Sequence, residues 1–70
     1  MENRLEALRN DKGWTQQELA DRVGVSRQTI ISLERGRYNP SILLAFRLAR
    51  TFDVAIENVF LYNDSEDDYE

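Results

Sequence analysis

The chain has 70 residues, a net charge of −4, 41% hydrophobic residues and 31% charged residues. This length fits one small domain, and the composition is too apolar for an intrinsically disordered protein. The absence of cysteine and histidine excludes disulfides, zinc bound by thiolates or imidazoles, and catalysis by Cys/His or Ser/His pairs.

Apolar residues recur at helical spacing, so we predict an all-α fold of five short helices. The first helix is expected from about Asn3 to Lys12, and Gly13 ends it. The second helix opens with a capping box, in which Thr15 is the N-cap and Glu18 reaches back to it. It is expected to end near Arg22.

The second and third helices are separated by a very short connection. Gly24 suits this turn because glycine adopts positive φ without steric cost. Ser26 is expected to cap the third helix, in which Ile30 and Leu33 point inward, and Gly36 ends it.

The last two helices are expected at about residues 41–51 and 56–61. The fourth has an apolar stripe that should face the core, formed by Ile42, Ala45, Leu48, Ala49 and Phe52. The fifth should contribute Ile56, Val59 and Phe60.

The sequence ends in an acidic segment. Residues 64–70 contain five of the 13 acidic residues and no basic residue, which leaves residues 1–63 with nine basic and eight acidic side chains, a net charge of +1. We therefore predict a folded domain over residues 1–63, with room for a basic face, and a disordered acidic tail over residues 64–70.

Neither a signal peptide nor a membrane span is evident. No apolar core follows Met1, and the longest apolar run, Ile42 to Phe46, is too short to cross a bilayer. We expect a cytoplasmic protein with no membrane contact, no metal or other cofactor and no small-molecule ligand.

Two short helices joined by a glycine turn form a helix-turn-helix, here from Thr15 to Arg35. The second helix of such a unit enters the major groove of DNA. Arg27 suits recognition of guanine, and Gln28 suits recognition of adenine. Ile31 either contacts a thymine methyl group or is an unremarkable surface residue.

Several residues around this unit are candidates for phosphate contacts. The backbone N–H groups of Gln16 and Gln17 begin a helix and can bind an anion. Thr15 is first a cap and second a phosphate ligand. The remaining candidates lie at or after the end of the third helix and are Arg35, Arg37, Tyr38, Asn39 and Ser41.

Arg9 and Glu34 lie on or beside the inner faces of their helices. Buried charges occur mostly in pairs, so we predict that these two form an ion pair between the first and third helices. The alternative is two unrelated surface charges.

The run WTQQELADRVGVSRQTI at residues 14–30, followed by LERGRYNPS at residues 33–41, resembles the Cro and phage-repressor (xenobiotic-response-element) family. The resemblance covers residues 3–62 and is strongest to small stand-alone repressors of the cytolysin-operon type. It implies a five-helix lambda-repressor-like DNA-binding domain. We expect no enzymatic activity, because no nucleophile–base set or metal cluster is visible in the sequence.

The resemblance also implies roles for particular positions. Gln16 matches a phosphate-binding glutamine, whereas Arg27, Gln28 and Ser32 match base-contacting positions, and Arg9 with Glu34 matches a buried ion pair. The segment around Val59, Phe60 and Leu61 matches a dimerisation region. The sequence departs from the family pattern at three features, which are Asp53 in place of a common glycine, Ala55 in place of a Ser or Thr cap, and the acidic tail.

We expect a homodimer that binds double-stranded DNA at a palindromic site. Apolar residues off the core stripe of the fourth helix and near the end of the domain would form its interface. They are Leu43, Leu44, Phe46, Val59, Phe60, Leu61 and Tyr62. The alternative is that these residues complete the core of the monomer.

The favoured function is a homodimeric repressor that binds a palindromic operator through the major groove. One alternative is the antitoxin of a toxin–antitoxin pair, and another is a protein-interaction module without DNA binding. The acidic tail is either a solvated, solubilising end or a competitor of DNA for the basic face.

Overall fold

The computed structural model describes residues 1–37 and 39–61, and this part of the chain is mostly helical. None of its helices is long and apolar enough to cross a membrane. The elements are α1 (Leu5–Lys12), α2 (Gln16–Val23), α3 (Arg27–Glu34), α4 (Ile42–Phe52) and a 3₁₀ turn (Ile56–Asn58).

Hydroxyl side chains fix where three of the helices begin. Thr15 Oγ1 accepts the backbone N–H of Glu18 at 3.0 Å, and the Glu18 carboxylate accepts the N–H of Thr15 at 2.8 Å. This is the capping box predicted from the sequence. Ser26 and Ser41 accept the backbone N–H groups three residues later, at 3.2 and 3.1 Å. Each cap supplies an acceptor for an N–H group that the helix leaves unpaired.

Residues in the left-handed conformation end α2 and α4. Gly24 (φ 77°) closes α2 and forms the turn into α3. Asp53 takes the same role after α4 with φ 58° and is the one described residue other than glycine with positive φ. An L side chain is disfavoured there, so Asp53 holds a conformation that glycine would adopt more easily.

The core lies where α2 meets α3 and α4, and where α4 meets the C-terminal turn. At its edge, the Trp14 ring lies 5.6 Å from that of Phe52, and the Arg22 guanidinium lies 4.0 Å from the Trp14 ring centre. The fully buried large side chains are Leu5, Leu19, Ile30, Leu33, Leu48 and Val59.

The predicted fifth α-helix is wrong. The segment makes one 3₁₀ turn, and Ala55 provides no side-chain cap for it. The helix does not continue after this turn, because the next backbone groups pair with the N-terminal segment. The carbonyl of Val59 accepts the N–H of Arg4 at 2.8 Å, and the N–H of Leu61 donates to the Glu2 carbonyl at 2.9 Å. Because residues 2 and 4 make these backbone bonds, α1 begins at Leu5 rather than near Asn3.

The predicted place of Ile42 in the core stripe of the fourth helix is also wrong, because its side chain is 75% exposed. It is the first residue of α4 and lies beyond the packed layers, beside a shallow groove whose walls include Pro40, Ile56 and Phe60. The other four residues of the predicted stripe are buried.

Candidate nucleic-acid interface

The outer face of α3 holds the residues expected to contact bases. Arg27 and Gln28 are exposed, whereas Ile31 and Ser32 are half-buried. The chain folds back directly after α3, where the N–H of Arg37 donates to the Ser32 carbonyl at 3.0 Å. The two polar side chains suited to guanine and adenine therefore lie at the exposed start of the helix.

A cleft of about 360 Å³ separates the start of α2 from α3. Its walls are formed by Glu6, Gln16, Arg27, Ile31, Glu34 and Arg35. The structure therefore brings the predicted phosphate-binding glutamine together with two base-contact candidates and one basic phosphate-contact candidate. Gln16 begins α2, Arg27 and Ile31 lie on α3, and Arg35 directly follows α3, so the Gly24 turn between the two helices sets their relative positions.

Arg9, Glu34 and Gln16 form one polar network beneath this cleft. Arg9 Nε donates to Glu34 Oε2 at 2.7 Å, and Arg9 Nη2 donates to Glu34 Oε1 at 3.3 Å. Gln16 Nε2 also donates to Glu34 Oε1, at 3.1 Å. The ion pair expected between α1 and α3 is thus present, and the same carboxylate holds the Gln16 side chain.

The ion pair in this network is largely shielded from solvent, whereas Gln16 is half-buried and borders the cleft. The side chains of Arg9 and Glu34 are 11% and 6% exposed. A third hydrogen bond runs from Arg9 Nη1 to the Trp14 carbonyl at 2.9 Å. The hydrogen bond to Glu34 raises the pKa of Arg9 above the ordinary arginine value, against the opposing effect of burial. The guanidinium therefore stays charged, which a buried carboxylate partner requires.

The other phosphate candidates lie around the rim. Thr15, Arg35, Arg37, Asn39 and Ser41 are exposed, and Thr15 and Ser41 also cap helices. Gln17 is exposed, and its side chain donates to Asp21 at 2.9 Å. Tyr38 lies outside the described residues.

The backbone at the start of α2 is available to an anion. Within residues 1–37 and 39–61, the N–H groups of Gln16 and Gln17 have no hydrogen-bond partner, because the Thr15 hydroxyl takes the N–H of Glu18. Such N–H groups, with the helix dipole, favour a bound phosphate.

The residues expected at a dimer interface divide into three groups. Val59 (0% exposed) and Phe60 (9%) are buried in the hydrophobic core of the monomer, so they offer little or no surface to a partner. Leu44 is half-buried against the same core, and Phe46 and Leu61 are exposed. Tyr62 lies outside the described residues.

One contact of the site was missed from the sequence. The hydrogen bond between Gln16 and Glu34 joins residues 18 positions apart, and no local spacing signals it. The exposed side chains of Leu43 and Phe46, which were expected off the core stripe of α4, form an apolar surface with Ile42, which was expected in the core. No three acidic side chains come together as metal ligands in the described part of the chain.

Comparisons with known proteins agree with this geometry. An uncharacterized HTH-type transcriptional regulator of Methanocaldococcus jannaschii is 50% identical over 94% of this chain and 100% of its own length. The restriction-modification controller protein C.AhdI of Aeromonas hydrophila superposes with a TM-score of 0.74, at 35% identity, over 81% of this chain and 86% of its own. SinR, the master regulator for biofilm formation in Bacillus subtilis, was crystallised in complex with DNA and gives a TM-score of 0.70, at 33% identity, over 77% and 87%.

The helix-turn-helix family matches residues 5–58, which include all four α-helices and the 3₁₀ turn. This range holds the α2–α3 unit, the Arg9–Glu34 pair and the capped start of α4. The chain therefore belongs to the helix-turn-helix family of the Cro and phage-repressor type, a class of DNA-binding transcriptional regulators and not of enzymes.

Proposed function

We propose that the protein is a cytoplasmic, homodimeric repressor that binds a palindromic operator, with α3 in the major groove. The main support is the cleft that Gln16, Arg27, Ile31 and Arg35 border together. Side chains suited to phosphates and side chains suited to bases meet there, as helix-turn-helix docking requires. SinR, which shares the fold, was crystallised with DNA.

Base recognition is assigned to the exposed face of α3. Arg27 pairs with guanine and Gln28 with adenine, because each side chain offers two hydrogen-bonding atoms in the geometry of that base. Ser32 lies one helical turn after Gln28 and contacts the same stretch of DNA. Ile31 packs on a thymine methyl group.

Phosphate contacts surround this face and fix the register on the duplex. Gln16 uses its side chain, held by Glu34, and Gln17 uses its backbone N–H group. The side chains on the rim contribute further contacts, and they are Thr15, Arg35, Arg37, Tyr38, Asn39 and Ser41.

The dimer is proposed to form through the exposed apolar surface of α4. Ile42, Leu43 and Phe46 are 75%, 59% and 49% exposed. Exposure of large apolar side chains to water is unfavourable, so covering them in an interface would stabilise a dimer. Leu61, which is 37% exposed and lies near the end of α3, is proposed as a separate contact of the same dimer. A two-fold dimer on palindromic DNA places its recognition helices about 34 Å apart, one turn of the duplex.

Selection of duplexes from a random pool tests this function. We expect enriched sequences to be palindromic, with half-sites one helical turn apart. Arg27→Ala should relax the preference at one base pair in each half-site and cost about 1–3 kcal/mol against the preferred site. Gln28→Ala should do the same at a different base pair.

Arg50→Ala is the matched control, because it also removes one exposed positive charge but lies on α4, away from the cleft. It should leave base preference unchanged and weaken binding of all sequences alike. Repression is tested separately by transcription from a promoter that contains the selected site. Failure to enrich any sequence, or equal effects of Arg27→Ala and Arg50→Ala on base preference, would contradict the proposal.

A further inference from the structure

Three arginines on the proposed DNA-binding surface have exposed guanidinium groups without a described partner. Arg27, Arg35 and Arg37 make no side-chain hydrogen bond or ion pair with another residue among 1–37 and 39–61. By contrast, Arg9 pairs with Glu34, Arg22 stacks on Trp14, and Arg47 donates to the Val23 carbonyl at 3.4 Å. Arg4 and Arg50 are also exposed and without a described side-chain partner, but they lie outside α3 and the segment that follows it. Arg27, Arg35 and Arg37 define what we call the basic rim.

The last described residue lies next to this rim. Leu61 borders a shallow cleft of about 460 Å³ together with Arg35 and Gly36, at the end of α3. Its position is fixed, because its N–H donates to the Glu2 carbonyl at 2.9 Å and Phe60 pairs with Asn3. The chain that follows Leu61 therefore starts beside the recognition helix.

The sequence after Leu61 is strongly acidic. Residues 64–70 bring five carboxylates and no basic group. An extended chain advances at most about 3.3–3.6 Å per residue, so Asp64 can lie up to about 10 Å from Leu61 and Glu70 up to about 30 Å. The eight-residue helix α3 is only about 12 Å long. The acidic segment can therefore reach every arginine of the basic rim.

We propose that the acidic segment, residues 64–70, docks on the basic rim and occupies the DNA-binding surface of the same chain. Its carboxylates take the positions that DNA phosphates take in the complex, so the segment and DNA compete for Arg27, Arg35 and Arg37. This inference rests on the proposed function for its consequence, but the contact itself exists without DNA. It makes the segment a built-in competitor that lowers the affinity for every DNA sequence that must displace it from these arginines.

Backbone NMR spectra of the full chain in the absence of DNA test the contact. The comparison variant keeps the length and neutralises the five acids as Asp64→Asn, Glu66→Gln, Asp67→Asn, Asp68→Asn and Glu70→Gln. At low salt, we expect the amide resonances of residues 27–37 to shift between the two proteins, and high salt should abolish the difference. The internal control is the second basic cleft, where Arg22, Arg47 and Arg50 meet. Shifts confined to that cleft, or no shifts outside residues 62–70, would overturn the proposal.

DNA binding provides the second measurement. The neutralised chain should bind a random duplex more tightly at low salt, on the order of tenfold, and the gain should vanish at high salt. Two double variants separate docking from overall charge, because each removes two carboxylates. Asp67→Asn/Asp68→Asn removes them from the acidic segment, and Asp11→Asn/Glu57→Gln removes exposed ones from the folded domain. Both pairs make the chain less negative, so the first pair should increase affinity clearly more than the second. Equal increases would overturn the proposal, whereas absence of DNA binding by every variant would contradict the proposed function and leave the NMR result to decide the contact.

Discussion

At the scale of single residues, one carboxylate links the stability of the fold to its candidate function. Glu34 accepts two hydrogen bonds from Arg9 and one from Gln16, and it thereby ties α1, α2 and α3 together. A bidentate pair with a further donor satisfies most of the acceptor capacity that a buried carboxylate must fill. The second amide hydrogen of Gln16 remains available for a phosphate.

Removing one member of this network should destabilise the protein strongly. We expect Arg9→Met to lower the free energy of unfolding by about 3–5 kcal/mol, because it leaves the Glu34 carboxylate buried without its partner. The double variant Arg9→Met/Glu34→Leu should recover most of that loss, since paired apolar groups replace paired charges. Urea denaturation measures both, and a double variant no more stable than Arg9→Met would contradict this account.

The same double variant isolates the role of Glu34 in holding Gln16. Its fold is restored, but Gln16 has lost its acceptor, so DNA affinity should fall by up to about tenfold. Adding Gln16→Ala should then change affinity little, whereas Gln16→Ala alone should weaken binding. Full additivity of the two effects would show that Glu34 does not orient Gln16.

At the scale of elements, the helix boundaries could be predicted where a cap lies within three residues of its partner. Local signals of this kind are the Thr15–Glu18 capping box and the caps at Ser26 and Ser41, and all three are present in the structure. The fifth helix could not be predicted, because backbone bonds to Glu2 and Arg4, more than fifty residues away, decide its conformation. The contact between Gln16 and Glu34 is hidden for the same reason, since it depends on how α2 crosses α3.

The end of α4 offers a test of backbone strain. Asp53 holds φ 58° and is exposed, so Asp53→Gly should remove the steric cost of the left-handed conformation. We expect it to raise the free energy of unfolding by about 0.5–1 kcal/mol, and we expect Asp53→Ala to lower it. Thermal or urea unfolding checks both variants. A less stable glycine variant would mean that the Asp53 side chain contributes more than its backbone conformation costs.

At the scale of the whole molecule, the apolar groups of the C-terminal part have two fates. Val59 and Phe60 close the monomer core, whereas Ile42, Leu43 and Phe46 remain on the surface. Helical periodicity shows which residues share a face of α4, but it does not show where the neighbouring layer ends. The division between core and candidate interface was therefore predictable only in part, and Ile42 was misassigned for this reason.

This division predicts how the dimer can be broken without unfolding the monomer. Phe46→Lys places a charge in the middle of the proposed interface but outside the core, so sedimentation should show monomers where the parent chain forms dimers, with unfolding of the monomer little changed. The added positive charge favours contact with DNA phosphates, so a fall in operator affinity would have to come from loss of the second half-site. Ala7→Lys is the matched control, because it adds the same charge at an exposed position of α1 and should leave the dimer intact. If Phe46→Lys still sediments as a dimer and protects both half-sites, the dimer must use a surface other than this face of α4.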